Sequence, residues 1–172
     1  MRTRAFVLAA FLSATVTLSA QENEKIKYSN ITEFGMITAS PMGIGGEGTT
    51  VQGIAIDKQH LLGLGVGIGL NSHFHYLAAY MPIFVNYRYY FNPNKTFSPH
   101  VNASLGGLIV EDGGGIYSSL TAGFKAGYFS FSSGLSFMAV NEKMYGWDYY
   151  RPKSYGYWSF PFGITLKCGF TF

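Results

Sequence analysis

Three scarcities narrow the reading of this 172-residue chain. It has a single cysteine, Cys168, which cannot close an internal disulfide and has no companion Cys or paired His at ligand spacing. A disulfide framework and a zinc site are therefore not implied, and a small apolar side chain on a strand accounts for the residue. Charged residues make up only 12% of the chain, which excludes a disordered, solvating polymer. The formal charge of +3 falls to about +1 once Arg2 and Arg4 are set aside with a leader, leaving no basic excess for nucleic acid. Long apolar runs are also missing. Beyond the N-terminus no segment offers the roughly 18 to 20 unbroken apolar residues of a spanning helix, so a membrane could be crossed only by strands.

What the chain does contain suits strands. Hydrophobic residues reach 48% and aromatics 17%, with 13 Tyr, 15 Phe and 22 Gly against 6 Pro, a mixture that favours sheets and tight turns over helices. The N-terminus has the form of a secretory signal: Arg2 and Arg4 supply the basic region, residues 5–12 the apolar core, and residues 17–20 the small-residue cleavage region, cut after Ser19 or Ala20. With no Cys following the apolar stretch, a lipid anchor is not expected. The expected division is a signal peptide over 1–20 and one β-domain over 21–172.

From about Ile31 onward, period-two alternation recurs in segments of roughly ten residues, the pattern of transmembrane barrel strands. The last segment is clearest: Phe160, Phe162, Ile164, Leu166, Cys168, Phe170 and Phe172 share one face, and Pro161, Gly163, Thr165, Lys167, Gly169 and Thr171 the other. Further upstream, Phe129, Phe131, Leu135, Phe137 and Ala139 oppose Ser130, Ser132, Gly134 and Ser136. Leu120, Ala122, Phe124 and Ala126 oppose Ser119, Thr121, Gly123 and Lys125. Val101, Ala103, Leu105 and Ile109 oppose His100, Asn102, Ser104 and Gly106, while Ile83, Val85, Tyr87, Tyr89 and Phe91 oppose Asn86 and Arg88. The third segment sets Leu62, Leu64, Val66, Ile68 and Leu70 against Gly63, Gly65, Gly67 and Gly69, an all-glycine face into which neighbouring strands must supply bulk. In the first segment Phe34 and Met36 are placed outward and Glu33 and Gly35 inward. The second segment, near 49–57, has no legible phase.

Eight segments put both chain ends on one side, as closure of an antiparallel up-and-down transmembrane barrel requires. Short connections near 57–60, 92–97 and 127–128 would be periplasmic. Longer ones near 41–48, 71–81, 110–117 and 141–159 would face outward. A soluble barrel of the same strand number would turn its apolar face inward; here the face rich in large aromatics runs to the terminal residue, and the opposite one is Gly, Ser, Thr and isolated charge. Aromatics at the strand ends form two girdles, Tyr87, Tyr89, Phe91, Phe170 and Phe172 at one rim and Tyr76, Tyr80, Tyr117, Trp158 and Phe160 at the other.

Three stretches carry a resemblance: Leu62 to Gly69 with its alternating glycines, the run Pro82 to Phe91, and the ending Gly169-Phe170-Thr171-Phe172. They resemble the small outer membrane β-barrel proteins of OmpA/OmpX-type size, single barrels with no periplasmic domain, over residues 28–172. The resemblance implies a bacterial outer membrane location and recognition of Phe170 and Phe172 by the barrel-assembly machinery. The family is functionally mixed.

Candidate chemistry lies at three places. Inward-facing Glu33, Arg88, Lys125 and Lys167 form an expected lumenal ion network, three cations to one carboxylate, which calls for a neutral His100 and a further acid or waters. Ser72-His73-Phe74-His75 brings to mind a hydroxyl nucleophile with an imidazole base, but adjacent Ser72 and His73 would point to opposite faces of a strand, and no third metal ligand accompanies His73 and His75. Tyr145, Trp147, Arg151, Lys153 and Trp158, in the last outer connection, interleave rings with cations in the manner of a recognition surface for lipopolysaccharide phosphates, glycans or an extracellular protein. The expected function is envelope structure and surface interaction, without cofactor or metal. An outer-leaflet lipid-modifying acyl hydrolase or transferase, or a narrow channel for small solutes, are the alternatives.

Overall fold

The computed structural model describes residues 26–40, 43–73, 76–111, 113–148 and 151–172. The leader expected over 1–20 lies outside them, as do Phe74, His75 and Asp112. Every regular element described is a strand: β1 (Ile26–Ser40), β2 (Gly43–Ile56), β3 (His60–His73), β4 (Tyr76–Tyr90), β5 (Phe97–Val110), β6 (Gly113–Ala126), β7 (Phe129–Asp148), β8 (Arg151–Ser159) and β9 (Phe162–Thr171). Each pairs antiparallel with its neighbour in sequence from β1 to β8 except at the β8–β9 junction, where the two segments form one strand. Val140 opposite Ser159 and Phe137 opposite Phe162 keep a single register along β7, and Phe160-Pro161 is the break. The ring closes where β9 pairs with β1, from Ile31 opposite Thr171 to Ser40 opposite Phe162. This is a closed, eight-stranded, up-and-down antiparallel barrel.

Closure removes the unpaired edges that a sheet otherwise presents. At the seam, Asn30 and Phe172 exchange both backbone bonds at 2.8 Å, so the terminal residue is itself part of the wall. The short connections and the chain's end share one rim, here termed the turn end. One of these turns, after β2, places Asp57 and Lys58 at φ 50 and 59, the left-handed pair at the centre of a turn in which Gln59 N–H donates to the Ile56 carbonyl at 3.1 Å, which lets the hairpin follow the twist of its strands.

The wall is inverted relative to a soluble protein. Leu64 is 68% exposed, Leu120 62% and Phe34 61%, whereas Arg88 is fully buried and Lys167 is 4% exposed. All the outward residues read from the alternation in β1, in β3 through β7 and in the last segment from Phe160 stand outward, with one exception. Ala139 is outward by phase but buried, a single methyl beside the larger Ile116 with which it pairs. In β2, whose phase was illegible, Glu47, Thr49 and Val51 are buried and Ile44 and Ile54 exposed. Neither face of β2 is apolar throughout, because glycines and threonines fall on both, and only pairing with β1 and β3 sets its orientation.

Two features depart from the sequence reading. Beyond small and polar side chains, the lumen holds large apolar ones: Phe84, Tyr90, Leu108 and Met138 are buried, and so are Tyr80 and Tyr117, which the sequence placed in the outer girdle and which turn inward to Glu47 instead. The outward connections are also much shorter than expected, since strand pairing continues through most of them. β3 runs to His73 and β4 starts at Tyr76, β5 ends at Val110 and β6 begins at Gly113, and β7 extends over 20 residues. Tyr, Trp, Thr and Gly in these stretches are compatible with extended backbone, so hydrogen bonding outlasts the alternation of polarity. β6 meets β7 only as far as Asn141. From Glu142 to Asp148, β7 pairs with β8 alone among the described residues, a two-stranded ribbon that at about 3.3 Å per residue rises on the order of 20 Å above the wall.

Candidate functional site: a closed polar lumen

The lumen is filled by a rule visible at single residues. Glu33, Lys167, Phe84, Tyr80 and Tyr117 each lie over a glycine at the register position opposite on a neighbouring strand, whereas Arg88 lies between Leu61 and Asn102. At the seam the arrangement is reciprocal: Glu33 pairs with Gly169 and Lys167 with Gly35. A Cβ on Gly169 would stand 2.7 Å from Glu33 Cγ, and one on Gly35 2.8 Å from Lys167 Cγ. In β3, Gly65 lies opposite Phe84 and Gly69 opposite Tyr80, and both rings occupy the space a Cβ would take. An eight-stranded ring has width for side chains and little else, so these large groups are accommodated by the glycines beside them.

Two ion pairs result. Arg88 Nη2 donates to Glu33 Oε1 at 2.6 Å, and Lys167 Nζ to Glu47 Oε1 at 2.7 Å. Around the second, the hydroxyls of Tyr117 and Tyr80 donate to Glu47 Oε1 and Oε2 at 3.0 and 3.1 Å, and Lys167 reaches the Tyr117 oxygen at 3.2 Å. Glu47 thus accepts from three side chains while nearly out of contact with solvent, the condition under which a buried carboxylate is stabilised rather than costly. Between the pairs, Asn86 Nδ2 donates to Asn102 Oδ1 at 2.6 Å and Ser104 Oγ at 2.9 Å, and Asn102 donates to Thr121 Oγ1 at 3.3 Å. Phe84 and Tyr117, with ring centroids 5.4 Å apart, add an apolar layer across the bore.

Of the four residues expected to form one network, Glu33 and Arg88 meet each other, and Lys167 meets Glu47 instead. Lys125 is half-buried near the turn end, its Nζ 5.6 Å from the centre of the Tyr90 ring, with no carboxylate partner among the described residues. Glu47 is the further acid that the charge count called for. It escaped sequence reasoning because β2 had no phase, although an isolated Glu in a Gly- and Thr-rich strand was an available signal.

At the opposite rim, the five aromatic and basic residues expected on a loop lie in strands. Trp147 is opposite Pro152, Asp148 opposite Arg151, Gly146 opposite Lys153, Tyr145 opposite Ser154 and Asn141 opposite Trp158. The side chains of Tyr145, Trp147, Arg151 and Lys153 lie outside the described residues. Trp158 is exposed and stacks on Phe160, which stacks on Phe137, at 6.4 Å in each case. Ser72, exposed at the end of β3, is opposite Leu77; the side chain of His73 is outside the described residues. At the turn end, Phe170 and Phe172 are exposed and stacked at 6.4 Å, with Phe129 and Tyr128 against them.

No family model matches the chain, and no curated protein matches it in sequence. Among solved structures it is similar to Neisserial surface protein A (NspA), with a TM-score of 0.55 and 12% identity over 86% of this chain and 99% of that one. At this identity the likeness is one of fold.

Proposed function

We propose that the protein is a bacterial outer membrane barrel whose bore is shut by its own side chains and whose activity lies in the strands projecting from the ribbon end. The observation that carries this reading is the inversion of polarity. A continuous belt of Leu, Ile and Phe around a closed barrel has no stable place in water, while an interior of ion pairs and amides has none in contact with lipid. Rings at both rims, Phe170 and Phe172 at one and Trp158 and Phe160 at the other, suit the two interfaces of a bilayer. The exposed Phe170 and Phe172 are where the barrel-assembly machinery would engage the last strand.

The filled bore favours surface interaction over transport. Two salt bridges, a hydrogen-bonded amide ladder and the Phe84–Tyr117 layer occupy the path a solute would take. The ribbon of β7 and β8 carries Tyr145, Trp147, Arg151, Lys153 and Trp158, so lipopolysaccharide phosphates, glycans or an extracellular protein are the partners it would recognise. Unheated detergent gels together with membrane fractionation test the reading: a folded band that shifts on boiling, recovered with the outer membrane, is expected. A protein recovered in the soluble periplasmic fraction would overturn it.

A further inference from the structure

The turn end of the lumen presents more donors than its carboxylate uses. Arg88 commits Nη2 to Glu33 and also faces the Tyr90 hydroxyl, while its buried Nε and Nη1 close no well-formed hydrogen bond among the described residues. Both ring nitrogens of His100 are in the same condition, the residue being 1% exposed. The His100 ring lies 5.5 Å from that of Tyr90, and Lys125 Nζ stands over the same Tyr90 ring at 5.6 Å. The charges acting on His100 are those of Arg88, Glu33 and Lys125, so groups from β1, β4, β5 and β6 converge on one space. Across from Lys125 and Gly123, β7 contributes Ser130 and Ser132, whose buried hydroxyls also lack partners. Two cations and an imidazole thus share a single carboxylate, one already held by Arg88.

We propose that this half of the lumen binds one small inorganic anion of halide size, held by Arg88, Lys125 and His100 and admitted from the turn end past Lys125. Halide size follows from the bore: eight strands leave space for side chains and little more, and Phe84 and Tyr117 cross it above. An anion supplies both a charged acceptor for guanidinium N–H groups that otherwise face only the Tyr90 hydroxyl and the missing negative charge, and charge-assisted bonds of this kind are the strong ones. Half-buried Lys125 is the one cation of the set that reaches the rim. The inference stands apart from any role of the ribbon.

Chloride NMR line broadening tests it. Chloride is titrated into the folded barrel in non-ionic detergent and a gluconate buffer, that anion being too large to enter. Saturable broadening is expected for the folded barrel and not for the urea-unfolded chain. Lys125→Gln should weaken the apparent affinity about tenfold, the loss of one charge-assisted hydrogen bond, whereas Lys125→Arg should retain it. Folding of each sample is read separately from its unheated gel migration, so a failure of the barrel is distinguished from a failure of the site. If Lys125→Gln does not migrate as folded, His100→Asn is read in its place with the same expectation. Absence of saturable broadening in the folded wild type, or equal affinity in the folded variant, overturns the proposal.

Discussion

At the scale of single residues, the interior depends on glycines that are defined by their neighbours. Gly65 is required because the Phe84 ring lies over it, with Cδ2 2.9 Å from where a Cβ would stand. Gly65→Ala should therefore lower barrel stability by about 1–3 kcal/mol, the usual cost of overpacking. Phe84→Leu in the same chain should recover part of that loss, giving a coupling in a double-mutant cycle of urea unfolding midpoints; additive effects would contradict the packing rule. The buried ions predict a larger change. Glu33→Ala leaves Arg88 buried without its carboxylate and should cost about 3–5 kcal/mol. Thr32→Ala, one residue away on the outward face, should leave the midpoint almost where it was.

At the scale of elements, legibility followed amphipathicity. The last segment could be read to Phe172 because seven consecutive outward positions, from Phe160 to Phe172, are apolar and Lys167 interrupts only the inward face. β3 was equally plain, since Gly63, Gly65, Gly67 and Gly69 form the middle of its inward face, between Leu61 and Asn71. β2 was not, because Gly46, Gly48 and Thr50 on one side resemble Gly45, Gly53 and Thr49 on the other; its phase is imposed by partners, and with it the identity of Glu47 as the second lumenal acid. Inward Phe84 and Tyr117 were hidden for a related reason: an aromatic residue reads as outward until the glycine opposite it on the next strand is known. The ribbon of β7 and β8 was mistaken for a loop because alternation fades there while pairing does not. A two-stranded ribbon has little stability of its own, so its removal should not harm the wall. Replacing residues 143–157 by a short turn should leave the heat-modifiable shift intact and, if the proposed surface role holds, abolish retention on lipopolysaccharide-coated beads. Loss of the shift would show the ribbon to be part of the fold instead.

At the scale of the molecule, everything follows from one inversion: apolar residues outside, charge inside, and a wall with no free edge within the barrel. The seam joins these facts, since Glu33 over Gly169 and Lys167 over Gly35 place one member of each ion pair at the closure itself. A bore shut in this way should show no unitary conductance in planar bilayers, and discrete openings in Glu47→Ala would identify the Glu47–Lys167 pair as what closes it. The inversion is tested most directly by tryptophan quenching with brominated acyl chains, in a background where Trp147 and Trp158 are replaced by Phe. Single tryptophans at Leu64 and Leu120 should be strongly quenched in brominated liposomes, and a tryptophan replacing inward Phe84 should be spared. Quenching at position 84 with sparing at 64 and 120 would contradict the account.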